Sequence, residues 1–184
     1  MVYGDTGRGT REVKKLLLGA ILLIAGVAIA NALLIMWPAL EAKRNDSRSA
    51  DVGLYAHYAW GVNPNVLVLN IVSLEPAASM ADVDRVLLDT AEAFKKRNFS
   101  KVVLAYRGHN RFQFDGAYFR RVGEERSWQN PVYTIRTMSE NVEDLDGSPA
   151  FGTWTGGWLG VMGKQMEDHR KFHQRWYIDD LMKG

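Results

Sequence analysis

Two histidines four residues apart, in Asp168-His169-Arg170-Lys171-Phe172-His173, are the residues of this 184-residue chain best spaced for chemistry. On a helix that spacing turns both imidazoles to one side, where they can share a cation or a proton. A zinc site needs two further ligands, and only His57, His109 or carboxylates far along the chain are left to supply them. Arg170, Lys171 and Arg175 load the same stretch with positive charge, which disfavours a cation. The expectation is a partly exposed polar helix carrying two histidines, with no metal and no cofactor. His109, His169 and His173 are then the candidate titratable groups, because histidine changes charge near neutral pH.

Other reactive patterns fail on spacing. Gly156 to Gln165 resembles a phosphate-binding loop, but Trp158 stands where the first glycine belongs and Gln165 where Ser or Thr must be. Aligning Gly147 with the turn glycine of a calcium loop puts Val142 and Thr153 at positions that require carboxylates. No nucleophile elbow, HExxH or Ser/His/Asp pattern is present. The chain has no cysteine, so disulfides, thiolate ligands and a Cys nucleophile are all excluded. Glu124-Glu125 and Asp179-Asp180 are sequence neighbours, do not face one another, and default to solvent.

One segment stands apart by its chemistry. Gly147–Gly163 has 17 residues, six glycines, two tryptophans and no charge. Its glycines argue against a second membrane-spanning helix. Phe151, Trp154 and Trp158 either complete the core or serve as candidate binding or membrane-contact residues, since Trp suits an interface with one wet side.

The elements that must carry these residues read as a compact α+β domain, β-α-β-β-β-α, over residues 63–184. Val66–Val72 and Lys101–Tyr106 are almost unbroken apolar runs, typical of strands covered on both faces. Between them, Ser79 to Asp82 resembles a capping box, followed by Met80, Val83, Leu87, Ala91 and Phe94 at helical spacing. The helix is expected to stop near Arg97-Asn98, and the βαβ order implies parallel pairing. Phe112, Phe114 and Tyr118 alternate as a third strand, with Gly116 as a bulge; Val132–Met138 after Pro131 reads as a fourth. A last helix is expected over about 163–182, with Met162, Met166, His169, His173, Trp176 and Asp180 on one stripe.

Ahead of the domain, Leu16–Trp37 is a 22-residue run in which Asn31 is the only strongly polar side chain. As a helix it measures about 33 Å, against about 30 Å for a bilayer core. The expected organisation is a basic tail (1–15), a transmembrane helix (16–40) and a linker (41–62). Ala28-Ile29-Ala30 offers a signal-cleavage alternative, against which the apolar run continues to Trp37. Gly26, Ala30 and Asn31 bring small-residue spacing and an amide, as helix self-association or a membrane-protein partner would use. The first 40 residues hold four basic and two acidic side chains, a surplus equal to the whole net charge of +2. The domain is therefore neutral, and Lys95-Lys96-Arg97 and Arg120-Arg121 do not amount to a nucleic-acid footprint. The slightly more basic tail favours a cytoplasmic N-terminus and an extracytoplasmic domain, with inverted topology as the weaker option. With no catalytic motif, the sequence points to a single-pass, membrane-anchored binding or scaffold module. The alternative is a membrane-tethered enzyme whose site assembles only in the fold.

Overall fold

The computed structural model describes residues 6–44 and 46–183. It is a mixed α+β protein with one five-stranded sheet in the order β1-β2-β3-β4-β5 and one long apolar N-terminal helix. That helix is α1 (Thr6–Asn31), which passes through a π turn (Ala32–Met36) into α2 (Trp37–Arg44). From Arg11 to Arg44 it is a 34-residue rod with mean hydropathy 2.5 in its most apolar stretch, long and apolar enough to cross a membrane. Residues 1–5 of the expected tail lie outside the described residues, and helix begins at Thr6.

The rod is exposed along Leu16–Ile24 and buried at its C-terminal end, where Ile35 and Ala39 are fully enclosed. The change has a local cause. Pro38 has no N–H for the Leu34 carbonyl one turn back, and the chain adopts a π turn there, closed by the Trp37 N–H on the Ala32 carbonyl. The Arg97 guanidinium donates to the freed Leu34 oxygen at 3.4 Å.

Residues 41–62 are not a linker. They finish α2, make one short turn at Ser47–Ser49 and enter β1 (Val52–Ala59), whose Val52, Leu54, Ala56 and Tyr58 face the core. Small and charged residues before Val52 hide an alternation that begins only there. β1 pairs antiparallel with β2 (Asn63–Leu74), and β2 pairs parallel with β3 (Lys101–Tyr106) through the crossover helix α3 (Met80–Phe94). The parallel βαβ unit is as expected. Helix α3 opens on a complete Ser79–Asp82 capping box and closes at Lys95, two residues before the expected stop at Arg97-Asn98.

β4 (His109–Asp115) pairs antiparallel with β3, and the chain then departs from the expected strands. Asp115 ends β4 by accepting from the Ala117 and Tyr118 amides, which starts α4 (Gly116–Glu125). Gly116 is no bulge: a Cβ there would collide with the Phe99 carbonyl, so glycine allows the helix start to sit against the preceding loop. Val132–Met138 is also helical. Asn130 caps it and Pro131 takes the first helical position, making α5 (Pro131–Met138). The remaining sheet edge is the two-residue β5 (Val142–Glu143) on β4. The last helix starts five residues earlier than expected, as α6 (Trp158–His173), and continues through a π turn (Gln174–Ile178) into α7 (Asp179–Leu181). Residues from α3, α4 and the C-terminal helix share one core with one face of the sheet. The other face, with Val66, Val68, Val103 and Ala105, forms a separate small apolar cluster.

Candidate functional site

The crossover helix and the C-terminal helix meet over a buried trio, Asp84, His169 and His173. Asp84 falls one turn from both Met80 and Leu88, on a buried side of α3. His169 and His173 lie one turn apart on the face of α6 that packs inward. The Nε2 atoms of both imidazoles converge on the carboxylate: His173 Nε2 is 2.9 Å from Asp84 Oδ1, and His169 Nε2 is 3.1 Å from it. The two Nε2 atoms are 3.1 Å from each other. Asp84, His169 and His173 are only 2%, 4% and 0% exposed.

The surroundings hold the trio in place. After His173 the π turn brings both Trp176 and Tyr177 into the core. Trp176 Nε1 donates to the Ala105 carbonyl at 3.2 Å, tying the helix to the sheet. The Tyr177 hydroxyl lies 2.9 Å from His173 Nδ1, and burial, with Asp84 and Asp82 nearby, pushes that phenol above its ordinary range. Burial also pushes the Asp84 carboxyl up, but the hydrogen bonds from His169 and His173 outweigh it and hold the group below the usual carboxylate range. Among the described residues, two imidazoles and no Lys or Arg side chain lie within reach of this buried carboxylate's oxygens.

The positive charge that argued against a cation points elsewhere. Arg170 is exposed, Lys171 pairs with Glu167 at 2.8 Å, and Arg175 pairs with Asp144 at 3.0 Å while lying over the Phe112 ring. One helix carries both groups on opposite sides, so proximity in sequence misled. Of the three titratable candidates, His169 and His173 come together and His109 does not; it sits exposed at the start of β4, in a surface cleft with Arg111 and Asp180. Asp84 was missed, although a lone carboxylate between Met80 and Leu88 at helical spacing was the available signal.

The uncharged aromatic segment divides. Phe151 packs beside Phe112 and Phe172 at the core margin. Trp154 Nε1 donates to Asp168 Oδ2 at 2.7 Å, with the Lys164 ammonium over its ring. Trp158, at the start of α6, is exposed.

A second feature lies where the rod meets the sheet. The Asn31 amide donates to the Gly61 carbonyl at 2.6 Å and accepts from the Tyr58 N–H at 2.8 Å. The Ala56 N–H donates to the Met36 sulfur at 3.4 Å. The Ala56 and Tyr58 N–H groups on the free edge of β1 are therefore covered by the helix. The Asn31 amide is committed within the chain and Ala30 beside it is half-buried, which leaves Gly26 as the exposed residue of the self-association set. The β1–β2 hairpin tip rests on Val27 through Gly61, and its Trp60 is 92% exposed. From there a groove of about 620 Å³ runs over the uncovered sheet face, lined by Asn63, Val66, Val68, Asn70 and Val103. No protein-family model, curated protein or solved structure matches this chain, so no role passes to its residues from a relative.

Proposed function

We propose that this protein is a single-pass, membrane-anchored binding or scaffold module, with its α+β domain held flat against the outer face of the membrane. The observation that carries the reading is the continuity of the apolar rod with the sheet. The same helix is exposed on all sides along Leu16–Ile24 and becomes core at Ile35 and Ala39. An apolar surface that large is unfavourable in water and is satisfied by lipid. The domain behind it then stands at a fixed height, with Trp60 and Val62 at the level of Val27–Asn31, where an indole suits the headgroup region; lipid then covers Leu16–Ala30, roughly 22 Å, with Lys14 and Lys15 snorkelling at the far end. The sealed Asp84–His169–His173 trio offers no approach for a substrate, which favours binding over turnover.

The binding face in this reading is the uncovered side of the sheet. Its groove opens at Trp60, Gly61 and Asn63, the end nearest the membrane, so the partner is the membrane-proximal segment of a neighbouring integral membrane protein. The experiment uses native membranes. Alkaline carbonate should leave the chain in the pellet. A photo-cross-linker at Tyr55 or Val72, exposed on the open face, should capture an integral membrane protein, and one at Arg170 should not. Extraction by carbonate overturns the anchor; equal cross-linking from Arg170 overturns the choice of face.

A further inference from the structure

The geometry points to a metal site in the core: Asp84, His169 and His173 bind one first-row divalent transition-metal ion, of which zinc is the type, clamping the crossover helix to the C-terminal helix. Three ligand atoms form a triangle with edges of 2.9, 3.1 and 3.1 Å. Around an ionised Asp84 carboxylate, protons cannot make all three edges attractive. An imidazole Nε2 carries either a hydrogen or a lone pair in the ring plane, never both. If both nitrogens are protonated, both donate to Asp84 and the two N–H groups oppose each other across 3.1 Å. If one is not, its lone pair faces a carboxylate oxygen at about the same distance. A cation above the plane of the three atoms, equally distant from each, turns every edge into a shared coordination sphere. Bonds of about 2.1 Å place neighbouring ligand atoms roughly 3.0–3.4 Å apart, depending on whether the geometry is octahedral or tetrahedral.

The donor set selects the class of ion. Two imidazoles and one carboxylate suit zinc, iron or copper ions, whereas calcium and magnesium favour oxygen ligands throughout. The outer partner fits as well. With His173 Nε2 on the metal, Nδ1 carries the hydrogen and donates to the Tyr177 hydroxyl 2.9 Å away, the orienting bond that metal-bound histidines commonly have. Gln165, one turn before His169 on the same helix, has a buried Oε1 without a hydrogen-bond partner. All three ligands are buried, so the ion serves to join two helices, and the coordination position that three protein ligands leave on zinc is enclosed by the core. Clamping also suits the sequence separation: Asp84 and His173 are 89 residues apart, so the ion closes a long loop.

The test is metal content of the full chain, purified in detergent through a tag free of histidine. We expect about one equivalent of zinc after dialysis against zinc and metal-free buffer, and X-ray absorption showing two imidazoles at the zinc. Added Co2+ should give a visible ligand-field spectrum. Asp84→Ala and His173→Ala should each weaken affinity at least tenfold, while His109→Ala keeps the full equivalent. Tyr177→Phe should retain the ion with reduced affinity. If the first two variants do not fold, the wild-type zinc absorption and cobalt spectra decide alone. Absence of bound zinc and of a cobalt spectrum overturns the site. So does zinc bound without two imidazoles, or undiminished zinc in folded Asp84→Ala and His173→Ala proteins.

Discussion

Asn31 shows how one side chain changes meaning with its surroundings. In a membrane span an amide reads as a contact between helices, and Gly26 and Ala30 beside it strengthen that reading. In the fold both ends of the amide are used within the chain, on the Tyr58 N–H and the Gly61 carbonyl. Asn31→Leu keeps the bulk and strands both backbone groups, at a cost of about 1–3 kcal/mol. Thermal unfolding in detergent should show a lower midpoint, together with faster proteolysis at the β1–β2 hairpin. An unchanged midpoint would mean that water replaces the amide freely. The histidine pair shows the opposite relation between sequence and fold. Its spacing was legible and its partner was not, because Asp84 and the two histidines meet only when α3 and α6 pack. The nearby cations, Arg170, Lys171 and Arg175, were given weight by sequence proximity that the helix geometry removes.

At the level of elements, the sequence reveals what local rules decide. The buried runs of β2 and β3 and the capping box of α3 each follow from patterns shorter than 16 residues, and their order along the chain gives the parallel crossover. Where composition and position compete, composition misleads. Val132-Tyr133-Thr134-Ile135 is rich in β-branched and aromatic residues, yet Asn130 and Pro131 fix a helix start ahead of it. The Asn130 side chain accepts from the Val132 amide at 3.0 Å. Asn130→Ala should therefore cost about 1 kcal/mol of stability, read as a lower midpoint of thermal or denaturant unfolding. Asn130→Ser should recover most of it. If Asn130→Ala is neutral, α5 is held by packing on α6 rather than by its cap. β1 escaped notice for a different reason. Its outer edge pairs with no strand, and the groups that cover it, Asn31 and Met36, belong to a segment that reads as pure membrane anchor.

For the whole molecule, the neutral domain and the rod form one object with two solvents. The absence of native cysteine makes this simple to examine, since any single introduced thiol labels cleanly. With Trp60→Cys carrying an environment-sensitive dye, reconstitution into liposomes should shift emission to the blue and allow quenching by shallow nitroxide lipids. Trp158→Cys should respond to neither, because the proposed attitude to the membrane rests on the hairpin tip and not on the start of α6. Equal quenching at both positions would place the domain differently on the bilayer.

The seam between helix and sheet leaves no swivel. A domain hung from a Gly/Ser-rich linker samples many orientations. Here the Asn31 latch and the Met36 contact on β1 make the apolar rod a handle joined directly to the sheet. Helices answer a change in bilayer thickness by tilting, and in this molecule such a tilt would turn the open sheet face as one piece. In the proposed anchoring, the thickness of the surrounding lipid thus becomes an aiming device for the domain.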